Sequence, residues 1–291
     1  MNNWKYLSTA LFLMLSYNLG IAQNSILWEI SGNKLSSSSY LMGTLKFIGE
    51  KEFYLPEEVT DRLTSCKIFA IEDQIDHKAQ HELNAALHFP KGQSLSTQLK
   101  PEEYSQVIQF FKKEFGISKA TFEKKYSKMI PLALSITMTR LSLDENLKYY
   151  DIELLKFAKK NLIEAYSLES AEREAEAIRS FPMQDQIKAL LHSIDNFEKQ
   201  KQEFHALEIA YIQSDLDKVF EYTLHPTENN PAFIEEFYTK RNTELLPKIE
   251  RMIHEGASFI AIGVAHLEGE KGLLSLLQSK GYTVSPIPIK K

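Results

Sequence analysis

The sequence predicts an α/β fold: a mixed central β-sheet flanked by helices, with a largely helical insertion between the N- and C-terminal halves. Three observations predict it. Strand-like runs fall near both ends of the chain, and the stretch from about 96 to 165 carries helical patterning almost throughout. At 258–277 an apolar strand, a tight turn and a helix start follow one another directly. Strands at both ends with helices between them favour one α/β domain over two separable ones.

Composition sets the limits. The chain has 291 residues, 43% hydrophobic and 25% charged, which is ordinary globular usage and enough length for a sizeable core. Net charge is −5 and no basic stripe occurs, so nucleic acid is not an expected partner. The single cysteine, Cys66, rules out an intrachain disulfide. It lies where a helix end runs into a strand, with nothing near to lower its pKa, and reads as a buried, inert thiol.

The N-terminus reads as a secretory signal peptide spanning 1–22. Lys5 is the positive n-region, Tyr6 to Ile21 is mostly apolar, and Gly20-Ile21-Ala22 is a small-x-small cleavage site. The apolar stretch is short for a spanning helix, and an uncleaved anchor is the alternative. No cysteine stands at the boundary, which excludes a lipoprotein anchor. The mature chain, 23–291, carries no apolar stretch long enough to cross a bilayer. It is expected outside the cytoplasm, periplasmic or extracellular.

In order, Ser25 to Ser31 alternates and ends at Gly32-Asn33, a turn signal, and Ser39 to Leu45 follows as the second strand of a hairpin. Pro56 to Leu63 starts as helices do, with Pro and two Glu residues in the first turn. Lys67 to Glu72 is a strand ending in a carboxylate. Such a Glu binds a cation, acts as a base, caps a loop or pairs with a lysine. His77 and His81 stand four apart on one helix face. They lack the Glu of the His-Glu-x-x-His pattern and read as a solvated face.

Helices follow. The one opened by Pro101 carries Tyr104, Val107, Ile108, Phe111 and Phe115 as its apolar stripe, and Gly116 ends it. Pro131 to Met138 and Tyr150 to Ala158 are two more. Leu162 to Glu169 is strand-like and again ends in a carboxylate. Ala171 to Ile178 is a helix with a mixed-charge, solvated face. Gln184 to Tyr211 and Ser214 to Leu224 read as helices, and Ala232 to Glu255 as one long helix with Pro247 inside it. Phe259 to Ile262 has the β-branching of a buried strand, Gly263 breaks it, and the next helix is spaced by Leu273, Leu274 and Leu277. Gly281 to Val284 closes the chain as a strand.

His266 sits in the turn after the 259–262 strand. Ligands of open α/β sheets bind beyond the carboxyl ends of strands, where a following helix start also favours an anion. Gly43-Thr44-Leu45-Lys46 echoes Gly263-Val264-Ala265-His266, each a Gly-x-x-polar turn directly after a hydrophobic strand.

These segments carry a resemblance. Tyr40 to Lys46, Ile71-Glu72, Ser167 to Ser170, Arg241-Asn242 and Gly263 to Gly272 together resemble the TraB/PrgY/GumN family, related to the Tiki metalloproteases. The resemblance spans nearly the whole mature chain. It implies an α/β core with a helical insertion, and a site of two Gly-x-x-His motifs, strand-terminal Glu residues and an Arg. It further implies metal-dependent peptidase activity for the Tiki branch. On the matching positions, His266, Glu72, Lys46 and Arg241 are the implied catalytic set, and His266, Glu72 and Glu169 the implied ligands of a divalent transition metal.

One departure matters more than the matches. Lys46 stands where the family pattern has histidine. An ammonium has three donors and no lone pair, so it does not ligate a metal. Lys46 is therefore expected to supply a positive charge in the metal's place, pairing with Glu72 or Glu169, with Glu268 and Glu50 as the remaining substitute ligands. Three functions follow: an active hydrolase on an extracytoplasmic peptide or protein, a lapsed enzyme that binds or regulates, or an exported domain whose polar cluster is a buried salt-bridge network.

Overall fold

The computed structural model describes residues 25–72, 75–143, 146–223 and 231–290. The expected signal segment, 1–22, lies outside the described residues. The hairpin forms as read: β1 (Leu27–Gly32) pairs antiparallel with β2 (Ser39–Thr44), Leu27 opposite Met42. Gly32, Asn33 and Lys34 all have positive φ, which turns the chain between them. A two-residue strand, β3 (Ile48–Gly49), pairs with β5 (Leu147–Lys148) in a separate ribbon. The remaining strands are β4 (Ile68–Ile71), β6 (Glu164–Ser167), β7 (Ser258–Gly263) and β8 (Tyr282–Pro286).

The main sheet has the order β6-β4-β7-β2-β1-β8. Neighbours β6, β4, β7 and β2 run parallel, and β1 is antiparallel to both β2 and β8. β7 is central, which explains its apolar run: residues 258–262 are all buried. At the edge, β6 alternates between exposed and half-buried positions. This mixed sheet with helices around it and a helical region in the middle is the expected α/β fold.

Two hydrophobic clusters fill the interior. One packs helices on the sheet, with Phe69, Phe259, Ile260 and Leu277 among its members. The second contains no strand residue and centres on Phe111, Phe122, Leu134 and Leu190. The Pro101–Phe115 helix buries Val107 and Phe111 of the expected stripe and ends at Gly116, φ 65. Removing a side chain such as Phe111 from water contributes about 1.5–3 kcal/mol. The two-core arrangement corrects one helix boundary. Gln184 to Tyr211 reads as continuous, but Asn196 divides it into Met183–Asp195 and Phe197–Ile212. The first buries Ile187, Leu190 and Ile194 in the helical cluster, whereas the second buries Leu207, Ala210 and Tyr211 in the sheet cluster. Phe197, the first residue of the second helix, still packs in the helical cluster.

Two further differences occur. The β5 strand interrupts the expected helical stretch, being too short for any period to register. The long C-terminal helix is also not uniform: Pro231–Ile234 leads into a π-helical turn, Glu235–Thr239, and then into Lys240–Glu255, which contains Pro247. The His77–Ala86 helix buries no residue, so His77 and His81 lie on a solvated face. Cys66 is buried, and burial pushes its thiol up to about 12.

Candidate functional site

The two Gly-x-x-polar turns lie side by side, because β2 and β7 are parallel neighbours with Thr44 opposite Gly263. Their chain order guarantees that both turns leave the same end of the sheet. β4 pairs on the other side of β7, so Glu72 emerges there too, and its N–H donates to the Ala261 carbonyl at 3.1 Å. β6 adds Glu169 one strand further out, with Leu168 N–H donating to the Ile71 carbonyl at 2.7 Å. Arg241 and Asn242 reach this edge from the first turn of the Lys240–Glu255 helix.

These groups meet. Arg241 Nη2 lies 2.6 Å from Glu72 Oε1 and 2.8 Å from Glu169 Oε2, and its Nε donates to both Glu169 oxygens at 3.2 and 3.0 Å. Its Nη1 donates to the Phe237 carbonyl in the π-helical turn at 3.2 Å. Glu72 Oε2 accepts the Gly263 N–H at 2.8 Å. His266 Nε2 stands 3.4 Å from Glu72 Oε1, its Nδ1 is 2.6 Å from Asn242 Oδ1, and the Tyr238 ring meets the imidazole edge to face at 5.2 Å. The Arg241, Glu169 and His266 side chains are 5%, 1% and 2% exposed and Glu72 14%, so the cluster opens on the Glu72 side.

Lys46 is exposed at the end of its turn. That turn is fixed from below: Thr44 Oγ1 donates to buried Asp151 at 3.2 Å, and Tyr211 Oη donates to the Gly43 carbonyl at 2.8 Å. Just beyond it, Gly49 N–H donates to Glu208 at 3.0 Å.

Electrostatics follow from the contacts. Burial raises the Glu72 carboxyl, but the His266 and Arg241 charges, with a smaller contribution from Lys46, hold it well below the usual carboxylate range. Arg241 is desolvated, yet the two glutamates push its pKa up and keep it charged. Because the Glu72 pKa is depressed in the folded state, its stabilisation is present above the ordinary glutamate value of about 4.3 and is lost as pH falls through the depressed value. The acid limb of a stability-against-pH curve should therefore be flatter in Glu72→Gln than in the parent. Parallel limbs in denaturant titrations from pH 6 downward would contradict this assignment.

The sequence-derived set is thus brought to one edge. Arg241 is a cation that bridges Glu72 and Glu169, and the Lys46 charge also acts on Glu72, as the smallest of the influences named. This bears on metal binding. Arg241 takes both Glu169 oxygens and shares Glu72 Oε1, and Lys46 offers no lone pair. That leaves His266 Nε2 and part of one carboxylate as donors. Glu50 is engaged by Asn146 and Lys148, and the Glu268 carboxyl, raised by burial, faces Asp217. Among the described residues no group of three or more His, Cys, Asp or Glu side chains is placed to hold a metal ion. The donor set does not fit the implied metal.

Sequence reasoning missed the supporting residues. Tyr238 precedes Asn242 by four on one helical path, a spacing that signals a shared face. Asp151 stands in the first turn of the Tyr150–Lys160 helix, and nothing local marks it as buried.

A model of the TraB/PrgY/gumN family matches residues 26–286. No curated protein and no solved structure matches the chain. The chain belongs to the TraB/PrgY/gumN family.

Proposed function

We propose that this chain is an exported member of the family that binds a peptide or protein ligand at the Glu72–Arg241–His266 edge without metal-assisted hydrolysis. The observation that carries this reading is the Arg241 guanidinium bound to both Glu72 and Glu169. A fixed side-chain cation already neutralises the carboxylates that a metal would need. Lys46 in the first motif removes a further imidazole donor and adds positive charge at the mouth. The same contacts weaken Glu72 as a general base, since a carboxylate held well below the usual range has little affinity for a substrate proton. No described helix is long and apolar enough to cross a membrane.

The test is metal analysis of the purified mature protein beside peptidase assays of the parent and Lys46→His, with and without added divalent metals. The parent is expected to hold no stoichiometric transition metal and to show no turnover. Lys46→His, which restores an imidazole at the first motif, is expected to gain metal binding, and activity with it. One tightly bound metal per chain in the parent, lost on His266→Ala, would refute the reading.

A further inference from the structure

The contacts of Asn242 decide which nitrogen His266 presents. Asn242 Nδ2 donates to two backbone carbonyls, His266 O at 3.2 Å and Lys271 O at 2.8 Å. Reversing the amide would set its oxygen against both carbonyls, so the orientation is fixed by its partners. Oδ1 is then the atom at 2.6 Å from His266 Nδ1, and it only accepts. His266 must donate there, which places a hydrogen on Nδ1. Asn242 is 2% exposed, so water does not supply a substitute partner.

We infer that Asn242 is a positioning residue that holds His266 with Nδ1 protonated and assigns Nε2 as its working nitrogen. In the neutral ring Nε2 then carries the lone pair, beside Glu72 Oε1 at 3.4 Å. One hydrogen lies between these two atoms: carried on Nε2 it is donated to Glu72, and with Nε2 bare the pair takes a ligand O–H or N–H. Asn242 does this while tying the backbone of residues 266 and 271 together, so the imidazole and its loop are set by one side chain. The assignment holds whether or not the site turns over a substrate.

The experiment is long-range 1H–15N correlation on 15N-histidine-labelled protein, with His266 identified by its loss in His266→Gln. The parent is expected to show a protonated, pyrrole-type Nδ1, with Nε2 pyridine-type or also protonated. Asn242→Asp keeps an acceptor for Nδ1 while losing both Nδ2 donations, and should keep that signature. Asn242→Leu removes it, and the hydrogen of the neutral ring should move to Nε2, toward Glu72. An unprotonated Nδ1 in the parent would overturn the inference, as would an unchanged spectrum in Asn242→Leu, which a purely structural role predicts. Should Asn242→Leu fail to fold, the parent spectrum and that of Asn242→Asp decide the matter.

Discussion

Arg241→Met is expected to lower the unfolding free energy by about 3–5 kcal/mol, the cost of leaving a buried ion pair without one partner. The reason lies in what remains. Glu169 keeps a side chain 1% exposed and Glu72 one 14% exposed, and both lose the guanidinium that neutralises them. The Phe237 carbonyl loses a donor as well. Two buried carboxylates left close together must pick up protons or draw in water, and either costs stability at neutral pH. Adding Glu169→Leu and Glu72→Gln to Arg241→Met should recover most of the loss, because replacing a buried charged group by apolar or neutral residues of similar volume is often nearly neutral. Urea denaturation of the parent, the single and the triple variant measures both halves. A single-variant loss under about 1 kcal/mol, the scale of exposed ion pairs, would mean that Arg241 does not compensate the glutamates.

That network explains how much of the site was legible. His266, Glu72 and Glu169 were readable because each follows a strand of a parallel sheet, and strand ends in such sheets converge by topology. The adjacency of the two Gly-x-x-polar turns was visible only as a four-residue echo, and the sheet order turned it into contact between neighbours. The bridging role of Arg241 was not legible, for a geometric reason. Lys46 and Arg241 both offer positive charge to a sequence reader, but a helix start aims the planar guanidinium between two carboxylates, while the Lys46 turn leads outward. Asn242 carried no signal beyond its place beside Arg241, since the worth of an amide lies in three simultaneous partners that no spacing records. The division at Asn196 was hidden likewise, because periodicity shows that a helix has an apolar face, not which of two cores the face meets.

Gly272→Ala is expected to cost about 3 kcal/mol, the upper end of overpacking penalties. The backbone angles at Gly272 are ordinary, φ −72 and ψ 155, so conformational freedom is not what requires glycine there. Close approach is. A Cβ at this position would lie 2.2 Å from the Glu268 carbonyl oxygen and 2.4 Å from the Leu267 oxygen. Both belong to backbone, which does not swing aside as a side-chain tip does. Accommodating alanine means opening the turn closed by the Gly272 N–H donating to the Gly269 carbonyl at 3.0 Å. Opening it shifts the Lys271 carbonyl off Asn242 and loosens the segment that carries His266. Gly269 provides the contrast. It has φ +88 with nothing within 4 Å of a Cβ, so Gly269→Ala pays only backbone strain of about 1–2 kcal/mol. Denaturant midpoints should rank the parent above Gly269→Ala and Gly269→Ala above Gly272→Ala. The reverse order would show that the turn does not fold back on itself closely enough to exclude a methyl group.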